Sequence, residues 1–172
     1  MDDLSLLRYT DAEDKSFGVV GMAIGLFIFN AEQYLSGISV DRSDIDSIEF
    51  TPDFQIYTPQ SLSAKSVWNE SVKRFQVTAG LLLSNVICRC YVSRRCGIDA
   101  KLRQLMLDCL LEEGVESCQL DADEVEAIFN KNCDYLSRAF RSPELAVAAR
   151  QMADDLNKSR ELSRDQILTY LK

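Results

Sequence analysis

The chain has 172 residues, of which 47% are apolar and 27% are charged, and it contains no histidine. This composition is typical of a soluble globular protein, and the length allows a core that needs no disulfide staples. The missing histidine removes the usual general base and the commonest metal ligand. The sequence therefore excludes reactions and metal sites that depend on imidazole.

The net charge of −8 lies wholly in the first third of the chain. Residues 1–60 contain eleven acids and three bases, whereas residues 61–172 contain sixteen of each. We therefore expect an acidic, apolar N-terminal part joined to an electrically balanced helical part. Residues 1–15 are predicted to be a polar lead-in and residues 16–172 a single helical domain.

The six cysteines do not predict a disulfide scaffold. A chain of this size needs no such staples, and its first residues lack the pattern of a secretory signal. We therefore expect free thiols and a reducing, cytoplasmic location.

An uncharged stretch at residues 16–31 predicts a buried first helix, with Ser16 as its N-cap and Gly37 as its end. At sixteen residues the stretch is shorter than the ~20 that a membrane-spanning helix needs. Acidic residues also precede it. A core helix is expected, and no membrane association.

The segment after this helix has the alternation typical of short strands. Ile48 and Phe50 alternate with polar neighbours, as do Phe54 and Ile56, and Pro52 suits a turn between the two pairs. The pattern predicts a small β-hairpin near residues 47–57.

The longest helical pattern covers residues 66–95. Apolar residues recur at steps of three and four, beginning with Trp68. Arg94 and Arg95 complement the C-terminal dipole, and Gly97 is predicted to end the helix.

Capping signals predict the remaining helices. One helix is expected to end at Gly114, with Val115 closing it. The predicted starts are Asp99, Asp121 with Glu124, Ser142 before Pro143, and Ser163 with Gln166. The fold class is therefore mostly α, a bundle of five to six helices with a small β-hairpin near residues 47–57.

Three glycines mark a place of close packing in the first helix. Gly18, Gly21 and Gly25 lack the spacing and the preceding strand of a dinucleotide-binding loop. They instead make a flat strip that lets another backbone approach. That backbone belongs either to another helix of the same chain or to a second copy across a homodimer seam.

The first three cysteines fall near the predicted end of the long helix. Cys88 and Cys90 lie about 200° apart around a helix, so they cannot share a zinc ion. Cys96, beside Arg95 and the chain reversal at Gly97, is the candidate reactive thiol.

A basic patch follows the same helix, and only one acid interrupts it. With a pI near 4.6, nucleic acid is not the expected partner. We expect the patch to attract the acidic N-terminal third, either within the chain or from a second subunit. Its residues are Arg89, Arg94, Arg95, Lys101 and Arg103.

The leading functional hypothesis is a non-enzymatic, self-associating interaction or regulatory module. It predicts a homodimer, a protein partner with a basic surface, and no cofactor or metal. The alternatives are a metal-dependent enzyme that acts on small molecules or nucleotides, and a nucleic-acid-associated regulator. The carboxylates available to such an enzyme are Glu113, Glu116, Asp121 and Asp154.

Overall fold

The computed structural model describes residues 7–55 and 64–172, which form seven α-helices beside a small sheet. The mostly α class is confirmed, and the short helix α2 brings the number above the predicted five to six. The helices are α1 (Ala12–Ile28), α2 (Pro52–Gln55), α3 (Ala64–Cys88), α4 (Ala100–Glu112), α5 (Ala122–Phe140), α6 (Pro143–Ser159) and α7 (Arg164–Leu171).

The central helix α1 starts earlier than predicted. Asp11 is its N-cap, and the Asp11 carboxylate accepts a hydrogen bond from the backbone N–H of Asp14 at 2.8 Å. The predicted cap, Ser16, is instead buried inside the helix, where its hydroxyl donates to Asn157 on α6 at 2.6 Å. The uncharged stretch is buried as predicted, but the helix already includes the last residues of the predicted lead-in.

The end of α1 also differs from the prediction. The helix stops at Ile28, and the chain reverses through Asn30, whose φ of 53° is left-handed. Asn tolerates this conformation better than most residues and can end a helix as glycine does. The predicted end, Gly37, lies nine residues after Ile28, in a strand.

The sheet has three short antiparallel strands, β1 (Leu35–Ser39), β2 (Ile48–Phe50) and β3 (Glu161–Ser163), in the order β2-β1-β3. The β structure predicted at Ile48 and Phe50 is confirmed, but β2 pairs with the preceding strand β1. Pro52 begins α2 instead of occupying a turn, because proline suits the first turn of a helix. The predicted position Ile56 lies outside the described residues.

Helix α3 is the long helix that the sequence predicts, and it continues as a wide π-helical turn at Arg89–Ser93. Its buried face holds Phe75 and Ala79, whereas Trp68 is 48% exposed. The left-handed residue after the helix is Arg95, with a φ of 52°, so the predicted end at Gly97 is wrong.

Gly114 has a packing role instead of the predicted helix-ending role. The chain passes through it in a π-helical turn, Glu113–Ser117, and the left-handed residue is Gln119. A Cβ on Gly114 would lie 2.5 Å from Val125. Val115, predicted to make the closing contact, is exposed.

The four N-caps predicted after residue 96 are confirmed, since each depends on a few neighbouring residues. Asp99 accepts from the N–H of Leu102 at 2.7 Å, and Ser142 accepts from Leu145 at 3.2 Å. The capping boxes at Asp121–Glu124 and Ser163–Gln166 both form.

One helical stretch, Trp68–Ser93, is long and apolar enough to cross a membrane by length and composition. In this structure, 72% of its most apolar window is buried inside the protein. Because a core helix passes the same test, this stretch is weak evidence for a membrane span.

Helices α1 and α3 meet through glycine. A Cβ on Gly21 would collide with the backbone carbonyl oxygen of Ser84 and lie 2.6 Å from the Cβ of Cys88. A Cβ on Gly25 would lie 2.7 Å from the Cβ of Ser84. The two backbones therefore approach more closely than any side chain at these positions allows.

A buried ion-pair cluster fixes the start of α1 against the end of α3. One carboxylate oxygen of Asp14, Oδ2, accepts from Arg89 at 2.7 and 3.0 Å, from Arg94 at 2.8 Å and from the N–H of Thr10 at 3.0 Å. Arg89 is 1% exposed. Burial raises the pKa of Asp14, but the Arg89 hydrogen bonds, aided by Thr10 and Arg94, outweigh it and hold the pKa below 3.8.

Arg89 also holds the residues before α1. Its guanidinium donates to the carbonyl oxygens of Leu7 at 2.9 Å and Arg8 at 2.6 Å, and it lies 4.8 Å from the ring centre of Tyr9. One buried cation therefore organises the segment that leads into the central helix.

We expect Asp14→Asn to lower the free energy of unfolding by about 3 kcal/mol at pH 7, because it leaves Arg89 buried without a carboxylate. The lowered pKa of Asp14 means that its contribution is present above the unfolded-state pKa, about 3.9, and is lost as pH falls through the folded-state value. Urea unfolding at several pH values should show the wild type and the variant converging below about pH 4.

Asp41→Asn is the matched control, since Asp41 pairs with Arg160 at the surface. It should cost less than about 1 kcal/mol. Equal losses for the two variants would contradict a special role for the buried cluster.

We expect Gly21→Ala to destabilise the protein by about 3 kcal/mol despite the better helix propensity of alanine, because the new methyl group must displace backbone of α3. Gly97→Ala is the control: its Cβ meets nothing within 4 Å, and its φ is not left-handed. That variant should be neutral or up to about 1 kcal/mol more stable in urea unfolding. Similar stability of the two variants would rule out the close packing.

Candidate ligand-binding groove

A groove of about 910 Å³ opens between the end of α1, the β2–α2 corner, α3 and α5. Ligand pockets in proteins measure roughly 300–1,000 Å³, so this groove can hold a small organic molecule. The close packing of α1 on α3 forms one side of it, because both helices contribute lining residues.

Aromatic side chains form the wall at the β2–α2 corner. Phe50 and Phe54 are stacked with ring centres 4.3 Å apart, and Tyr34 lies 5.2 Å from Phe54 in a tilted arrangement. The N–H of Thr51 donates to the carbonyl oxygen of Tyr34 at 2.8 Å, which ties this corner together. Tyr135 borders the groove from α5 and is 49% exposed.

The groove is cationic on an acidic protein. Lys73, Arg74, Lys131 and Arg138 border it, and Glu70 is the one acid among the described residues that line it. Its formal charge is therefore +3, whereas the whole chain carries −8. Cations on both α3 and α5 favour an anionic ligand between them.

A buried amide borders the same space. Asn132 is 8% exposed and lines the groove. The Oε2 atom of Glu70 is buried without a hydrogen-bond partner in the described ranges. Buried polar groups are nearly always hydrogen-bonded, so the unpaired Glu70 oxygen indicates a place for a hydrogen-bond donor of a ligand or for ordered water.

The three glycines that predict close packing in the first helix lie outside the groove. Gly18, Gly21 and Gly25 are buried in α1 and do not line the groove; a Cβ on Gly18 would lie 2.6 Å from Tyr9 and 2.8 Å from Asn85. The close approach that these glycines predict therefore occurs inside the chain.

The five residues of the predicted basic patch do not form one exposed surface. Arg89 and Arg94 bind Asp14, an acid of the N-terminal third. Arg103 donates to Asn130 on α5 at 2.9 Å. Lys101 is exposed on α4, and Arg95 borders a second cleft together with Cys96, which is exposed.

The candidate catalytic carboxylates are spread over separate elements. Glu113 and Glu116 lie in the turn after α4, Asp121 caps α5, and Asp154 is exposed on α6. Within residues 7–55 and 64–172, no three acidic or thiol side chains are placed to hold a metal ion.

Sequence reasoning missed the groove, since its lining comes from separate parts of the chain. One signal was available on α5: Lys131, Tyr135 and Arg138 follow steps of four and three, which places a cation–aromatic–cation stripe on one helix face. That face adjoins the buried face of α5.

Comparison with known proteins adds no assignment. No protein-family model matches the sequence, and no curated protein or solved structure matches it.

Proposed function

We propose that the protein is a ligand-binding module whose groove takes an amphipathic organic anion. Such a ligand has an aromatic or aliphatic body and a carboxylate, sulfonate or phosphate head. The observation that carries this proposal is the combination of a cationic border and an aromatic wall in one groove of an acidic chain. Apolar walls with a few placed polar groups are typical of small-molecule sites.

The two ends of the ligand have different places in this proposal. Helix α3 supplies Lys73 and Arg74, whereas α5 supplies Lys131, Arg138 and also the Asn132 amide, so we place the anionic head between the two helices and against α5. The body lies against Phe50 and Phe54, where it is removed from water. The amide of Asn132, which lines the groove beside Lys131, then donates a hydrogen bond to the head group.

Self-association and a basic protein partner remain predictions of the sequence. Since Gly21 and Gly25 contact α3 within the chain, a homodimer would use a different surface. Native mass spectrometry of the full chain reports its oligomeric state and any bound small molecule together.

The binding proposal is tested with two fluorescent probes of nearly the same shape. The anion 8-anilinonaphthalene-1-sulfonate carries a sulfonate, whereas N-phenyl-1-naphthylamine lacks it. We expect saturable binding of the anion that weakens about tenfold in Lys131→Glu/Arg138→Glu, because the head group loses the two α5 cations and meets two acids in their place. Binding of the neutral probe should change little.

Arg164→Glu is the control, since Arg164 is exposed on α7 and does not line the groove. Thermal unfolding followed by circular dichroism should show that both variants are folded. Equal anion binding by Arg164→Glu and the double variant, or equal loss of both probes in the double variant, would contradict the proposed place of the head group.

A further inference from the structure

Two cysteines are brought together at the end of α3. The left-handed residue Arg95 turns the chain back, so that the N–H of Cys96 donates to the carbonyl oxygen of Cys90 at 2.9 Å. With standard bond lengths, this hydrogen bond keeps the two α-carbons within about 6.8 Å. Disulfides usually join α-carbons roughly 4.4–6.8 Å apart.

Cys96 also affects the titration of the Cys90 thiol. Burial raises the pKa of the Cys90 thiol to about 11, and Cys96 contributes to the rise through its charge and a side-chain hydrogen bond.

The surroundings of the two thiols differ. Cys90 is 2% exposed, whereas Cys96 is exposed at the edge of a cleft of about 500 Å³. Arg95, Arg141 and Arg150 border this cleft, and no acid from the described ranges lines it. Reactive cysteines occur in such electropositive, accessible places.

We propose that Cys90 and Cys96 form a reversible intramolecular disulfide under oxidation by peroxide. The exposed Cys96 thiol loses its proton and its sulfur attacks one oxygen of hydrogen peroxide; the oxygen–oxygen bond breaks, the leaving hydroxide takes up that proton and departs as water, and Cys96 becomes a sulfenic acid. Cys90 then loses its proton and attacks the Cys96 sulfur, and the sulfenic oxygen leaves as a second water. Two thiols are oxidised and one peroxide is reduced.

The bond fastens the part of α3 that holds the start of α1. Its ring spans residues 90–96, which include Arg94 and all of the π-helical turn except Arg89, and Arg89 directly precedes the ring. Both arginines bind Asp14. Oxidation therefore stabilises the contact between the ends of the two central helices, and thiol reductants reverse it.

Peptide mapping tests the bond without ambiguity, because trypsin cleaves after Arg89, Arg94 and Arg95. The predicted disulfide joins residues 90–94 to residues 96–101, and Cys88 falls in a different peptide. The full chain is reduced, treated with hydrogen peroxide, alkylated and digested without reductant. We expect the linked pair of peptides as the main oxidation product, and a rise of several degrees in melting temperature that dithiothreitol abolishes.

Two variants make the result decisive. Cys96→Ser, at an exposed position, should lose the linked peptides and the rise in melting temperature. Cys90→Ala should accumulate a Cys96 sulfenic acid that dimedone traps. If wild-type Cys96 instead accumulates as a sulfenic or sulfinic acid, as a disulfide with another cysteine, or unmodified, the proposal is wrong.

Discussion

The contact between α1 and α3 is the constraint on which the rest of the structure depends. Glycines on α1 let the two helix backbones touch at Ser84, and α3 in turn has Gly80 where the Phe29 ring rests on it. Because protein interiors are packed as densely as organic crystals, a larger residue at this contact cannot be accommodated by side-chain movement alone. The crossing therefore fixes where α1 ends, and with it the side of the groove that Phe29 contributes.

The ionic cluster at the other end of α1 has a different role. Replacing a buried ion pair with apolar residues often leaves stability unchanged or raises it, so the pair itself is weak evidence for stability. Here Arg89 also binds two backbone carbonyl oxygens ahead of α1, which apolar residues cannot do. Compared with apolar residues at the same place, the cluster fixes one position of the N-terminal segment and does not by itself raise the free energy of unfolding.

Local capping signals predicted four helix starts correctly, whereas the predicted first cap, Ser16, and several helix ends were wrong. The caps at Asp99, Asp121, Ser142 and Ser163 depend on residues within three positions and were predicted correctly. The helix ends at Gly37, Gly97 and Gly114 were wrong, because the left-handed residues are non-glycine and Gly114 is needed for packing. The groove could not be assembled from the sequence, since it requires the positions of separate elements.

The sheet order has a consequence for synthesis of the chain. One side of β1 pairs with β3, which lies more than 120 residues further along the sequence. Such distant pairings slow folding, because a long loop must close before any contact forms. At roughly 5–20 residues per second, that side of β1 waits roughly 6–25 s on the ribosome for its partner. During that interval the open strand edge is a site where nascent chains can aggregate or a chaperone can bind.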